Sequence, residues 1–99
     1  MSDNIDNFYA KIVKEMSTFA INEMAHNFLM RNVNNENKMV FYIDKETPLK
    51  VLHDIYNKTI SRKVKERIVE IIFQKLDVEF NNENISKIIN ILQNFEKGN

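Results

Sequence analysis

Two histidines are the residues best suited to chemistry in this chain of 99 residues, and each stands near a carboxylate. His26 follows Glu23 by three positions, in Glu23-Met24-Ala25-His26. A Glu-x-x-His pair on a helix is half of a carboxylate-bridged di-iron site, which needs a second such pair and two further glutamates. His53 has Lys50 at the matching position, so the second half is missing. His53 and Asp54 are sequence neighbours, and on a helix they are expected to point to different faces. No serine is marked as a nucleophile. No catalytic, cofactor-binding or metal-ligating residue is therefore assigned, and the expectation is a protein that is not an enzyme.

Glycine is nearly absent, which narrows the chemistry further. The only one is Gly98. Phosphate-cradling loops, dinucleotide fingerprints, strand-to-helix nucleophile elbows and calcium loops all depend on glycine at positive φ or close backbone approach. There is also no cysteine, which removes disulfides, thiolate catalysis and Cys-based metal sites.

A second constellation is basic. Lys58, Arg62, Lys63, Lys65 and Arg67 fall within ten residues, against Glu66 alone. They open a helix that follows a shorter helix and a brief break, which is the outline of a helix-turn-helix. These five are candidate nucleic-acid contacts. The formal net charge of zero weighs against them, because nucleic-acid binders are usually basic overall. The turn Lys58-Thr59-Ile60 also lacks the common glycine.

The third constellation is aromatic and sulfur-rich. Phe8, Tyr9, Met16, Met24 and Phe28 share one amphipathic segment. Adaptable methionines and aromatic anchors are common at protein interfaces, so these five are candidate protein-contact residues.

The elements that must carry these residues follow from periodicity. Apolar residues recur at helical spacing from about Asn4 to Arg31, which predicts one long helix, on the order of 40 Å. Asn32 to Asn37 reads as a polar loop, with asparagine taking over glycine's turn work. Lys38 to Asp44, Lys-Met-Val-Phe-Tyr-Ile-Asp, predicts a short strand. The alternating Leu76-Asp77-Val78-Glu79-Phe80 is its expected partner, or else the end of a helix. Thr47 as cap with Pro48 at the first helical position starts a helix that ends near Asn57. Ser61 caps the next, and the last begins near Asn82–Asn84.

The expected fold is therefore mainly α (α+β): about four helices, with a long N-terminal helix and one short two-stranded β element. The chain reads as a single domain over 1–99, with residues 1–3 and 96–99 fraying. A hydrophobic content of 43% and a charged content of 28% suit a globular protein. The start of the chain lacks the pattern of a signal peptide, and no apolar run reaches the ~18 residues of a membrane span, so a cytoplasmic protein without membrane contact is expected. Fifteen asparagines, with many isoleucines and lysines, reflect AT-rich codons and point to genome bias, not function.

The function expected is a small non-catalytic binding or regulatory protein, acting through protein–protein contacts and self-associating as a homodimer. A phage- or mobile-element-encoded inhibitor or adaptor fits that profile. The alternative is a DNA-binding regulator that uses 58–67.

Overall fold

The computed structural model describes residues 10–16 and 23–94, and every regular element among them is a helix. Residues 10–16 form α1, and five helices follow: α2 (Glu23–Arg31), α3 (Glu36–Tyr42), α4 (Leu49–Lys58), α5 (Arg62–Leu76) and α6 (Asn82–Asn94). No described helix is long and apolar enough to cross a membrane.

The predicted α+β class is thus incorrect, and no described residue belongs to a strand. The stretch 38–44, expected as a strand, lies mostly in α3. Asn35 caps this helix by accepting a hydrogen bond from the Lys38 N–H at 3.1 Å. Met39 and Ile43, four apart, are both fully buried, while Phe41 between them is 87% exposed. One helical stripe faces the core, and the rest of the apolar run faces out. The intended partner is not a strand either. Leu76 closes α5, and Asp77 turns the chain with φ 53° and ψ 51°. This left-handed residue takes the C-terminal position that glycine usually fills.

The single long helix over 4–31 is not seen. The described part is helical over 10–16 and again over Glu23–Arg31. Ile12 and Met16 point into the core, and so does Leu29. At about 100° per residue, Leu29 would lie roughly 120° away from the Ile12–Met16 stripe on one straight rod.

The helix starts follow local chemistry. Ser61 Oγ accepts from the Val64 N–H at 3.2 Å and caps α5. Asn81 Oδ1 accepts from the Asn84 N–H at 2.8 Å at the start of α6. Pro48 stands at the cap position of α4 and Leu49 is its first residue, one place later than expected. The hydroxyl of Thr47 folds back to accept from the Asp44 N–H at 3.0 Å, closing the preceding turn.

At the centre lies α5, packed against α3, α4 and α6; α4 in turn packs against α2 and α6. Val64, Ile68, Ile71 and Ile72 of α5 meet Leu49, Val51, Leu52 and Ile55 of α4 and Ile88 of α6 in one continuous core. Burial of each such side chain contributes about 1.5–3 kcal/mol. Helix α1 is tied to the far end of α5, where Lys11 Nζ donates to the Leu76 carbonyl at 3.3 Å and Glu15 lies 3.9 Å from Lys75.

Candidate functional site

Three surfaces of the helical body carry the residues with chemistry. The first is a cleft of about 470 Å³ lined by His26 and Met30 of α2, His53, Asp54 and Lys58 of α4, and Gln93 of α6. Its hub is Asp54. One carboxylate oxygen lies 3.1 Å from His26 Nε2, and the other lies 3.0 Å from His53 Nδ1 and 3.1 Å from Lys50 Nζ. The expected divergence of His53 and Asp54 does not occur: the short carboxylate curls along the helix surface onto its neighbour's ring. Burial is the largest single influence on Asp54 and opposes ionisation. The hydrogen bonds from His53, Lys50 and His26, with the Lys50 charge, together outweigh it and hold the carboxyl at about 2 instead of 3.8. An ionised carboxylate only accepts, so the protons sit on Nε2 of His26 and Nδ1 of His53.

This cluster bonds α2 to α4. Beside it, Asn57 Nδ2 donates to the Leu92 carbonyl at 2.9 Å and ties α4 to α6. Among the described residues, the cleft lining holds no hydroxyl or thiol side chain. Glu23 is exposed, and among the described residues no group of three or more histidines, aspartates and glutamates is arranged to hold a metal ion.

The second surface is the basic helix start. Lys58, Arg62 and Lys63 are exposed, and Lys65 and Arg67 are half-buried. Arg62 pairs with Glu66 at 3.5 Å, and Arg67 lies 3.8 Å from Glu70. Lys65 Nζ sits 5.3 Å from the centre of the Tyr56 ring. Three of the five cations therefore have a partner within reach on the helical body, though the Arg62–Glu66 pair is exposed and weak. Seven of the fifteen residues of α5 are buried, so the helix that would enter a groove is the centre of the fold.

The third surface is apolar. Of the proposed contact residues, Phe8 and Tyr9 lie outside the described residues, and Met16 is in the core at 5% exposure. Met24 is 82% exposed and Phe28 is 42% exposed. They have company that the sequence reading missed. The ring of Tyr42, on α3, lies 5.3 Å from that of Phe28, and Phe41, one residue earlier on the same helix, is 87% exposed. The signal that could have found this pair was present in Asn35, a helix cap three residues before Lys38. A helical reading of 36–42 turns Met39 inward and leaves Phe41 and Tyr42 outside.

Comparison with protein-family models, with curated proteins and with solved structures finds no match to this chain.

Proposed function

We propose that this is a non-catalytic binding protein that acts by covering a surface of another protein chain. The observation that supports this reading is the exposed apolar surface of Met24, Phe28, Phe41 and Tyr42 on α2 and α3. At about 200 Å² for each large side chain, these exposures present on the order of 500 Å² of apolar area. The Phe28 and Tyr42 rings, 5.3 Å apart, join the contributions of the two helices, and contiguous exposed apolar patches of a few hundred Å² are often functional. Aromatic and methionine side chains are also the types enriched at interface centres. A cysteine-free composition suits a reducing, intracellular setting.

Duplex DNA binding through 58–67 has less in its favour, since Arg62, Lys65 and Arg67 already have partners on the protein and the net charge is zero.

A photo-crosslinking side chain placed at position 41 in cells, compared with one at the exposed Ser86 on α6, tests the reading. Covalent adducts to protein are expected at 41 in clear excess over 86. Equal labelling at both positions would overturn it.

A further inference from the structure

Resting on that reading, we propose that the protein covered by this surface is a second copy of the same chain. In this arrangement α2 of one copy lies antiparallel against α2 of the other, about a two-fold axis that passes near Asn27.

The outward face of α2 carries the argument. Its exposed residues are Glu23, Met24, Asn27, Phe28 and Arg31. Met24, Phe28 and Arg31 fall at i, i+4 and i+7 and share a stripe, with Asn27 and Glu23 along its border. The single acid stands at the first residue of the helix and the single base at the last. Among the described residues neither Glu23 nor Arg31 takes part in an ion pair. They lie eight residues apart, about 12 Å along the axis, and Asn27 is midway.

A two-fold axis through that midpoint superposes the face on itself reversed. Glu23 of one copy then meets Arg31 of the other, twice, and between the two ion pairs Phe28 closes against its equivalent and Met24 against the partner's Phe28. The helix dipoles run in opposite directions, which is favourable. A parallel pairing would instead set Glu23 against Glu23 and Arg31 against Arg31.

Area and net charge agree. A stable interface buries about 800 Å² on each partner, with an apolar centre and a polar rim. Met24 and Phe28 supply the apolar centre, extended onto α3 by Tyr42, whose ring lies 5.3 Å from that of Phe28, and Glu23, Asn27 and Arg31 supply polar border on the same helix. A closed two-fold pair uses the same α2 face on both copies and leaves that face on neither open for further growth. With a net charge of zero, no overall repulsion opposes the approach.

Sedimentation equilibrium of the full chain, with two charge reversals, tests the pairing. Wild-type protein is expected to dimerise. Glu23→Arg alone and Arg31→Glu alone each set like charges together in their own dimers, and each is expected to weaken self-association by about tenfold. An equimolar mixture of the two variants is expected to recover most of that loss as a heterodimer, because both ion pairs re-form, one with the native polarity and one reversed. Each variant alone is the control for the mixture, so any loss from the helix dipole is common to both. Met24→Ser is the control for the apolar centre and is expected to weaken the dimer with its helical circular dichroism unchanged. A dimer whose variant mixture associates no better than the variants alone overturns the antiparallel arrangement. A wild-type chain that stays monomeric at high concentration overturns self-pairing altogether. In that case, adducts from position 41 to a different chain would leave the protein-binding reading standing, and their absence would remove both.

Discussion

His26 Nε2 lies 3.1 Å from Asp54 Oδ2, and this contact joins two helices 28 positions apart in the chain. It matters because α2 carries most of the proposed interface, and α4 is the element it packs on. The carboxylate that receives His26 also receives His53 and Lys50. The docking of α2 is therefore coupled to the ionisation of a single group.

The acid dependence of stability follows from that coupling. The folded-state value for Asp54, about 2, lies below the ordinary 3.8. The ionised group therefore contributes stability that is fully present above 3.8 and is lost as the pH falls through 2. Solvent screening at this partly exposed site limits the contribution to about 1 kcal/mol. Urea unfolding should show the wild type to be more stable than Asp54→Asn above 3.8. The difference should shrink between 3.8 and 2. If it were constant down to the lowest pH, the role given to the Asp54 charge would be wrong.

A second prediction concerns the joint between α4 and α5. Thr59, 3% exposed, donates its hydroxyl proton to the Val33 carbonyl at 2.7 Å and accepts from the Ser61 N–H at 3.1 Å. Ser61 in turn caps α5 and donates to Glu36 Oε1 at 2.8 Å. Thr59→Val strands two buried backbone groups and should cost about 2–3 kcal/mol. Ser61→Ala removes one cap and should cost about 1–2 kcal/mol. Thr59→Ser keeps the hydroxyl and should retain most of the stability. Chemical denaturation of the three variants gives the order, and a Thr59→Val midpoint equal to that of the wild type would refute the account.

What could be read in advance was local. Ser61 announces its helix because a cap is a contact within four residues, and the start of α6 was placed near Asn82–Asn84, next to the Asn81 that caps it. The register of α3 was misread because Met39-Val40-Phe41-Tyr42-Ile43 has the composition of a buried strand. Only the packing of α3 on α5 decides that 39 and 43 go inward. The Asp54 hub was hidden for a related reason. His53 is a neighbour in sequence, but His26 arrives only through the docking of α2 on α4. The exposed surface of Met24, Phe28, Phe41 and Tyr42 was half legible: the α2 residues came from helical spacing, and the α3 residues depended on the register that was misread.

The scarcity of glycine leaves a measurable mark at Asp77. Asparagine does much of the capping and turn bonding, at Asn35, Asn34 and Asn81. The left-handed position itself falls to Asp77, the only non-glycine residue with positive φ among those described. A side chain there costs about 1 kcal/mol against glycine, partly offset by glycine's greater freedom in the unfolded chain. Asp77→Gly should raise stability by about 0.5 kcal/mol. Asp77→Val should lower it by more than 1 kcal/mol, because a branched Cβ tolerates this conformation least. Thermal unfolding of the two variants decides it, and a destabilised Asp77→Gly would refute the argument.

The two faces of α3 allow stability and association to be separated. Met39 is fully buried and Phe41 is 87% exposed, two residues apart on one helix of seven. Met39→Ala removes a core side chain and leaves a cavity, so it should cost about 2–5 kcal/mol. Phe41→Ser removes apolar surface that water already covers, and should change stability by less than about 0.5 kcal/mol. A strand over 38–44 would have put 39, 41 and 43 on the same face and made both substitutions costly. Paired urea curves thus test the helical register, and the same Phe41→Ser protein then tests the surface. With its fold intact, any loss of association in sedimentation belongs to the contact and not to unfolding. A Phe41→Ser chain as unstable as Met39→Ala would show that this residue is core, and would withdraw it from the interface.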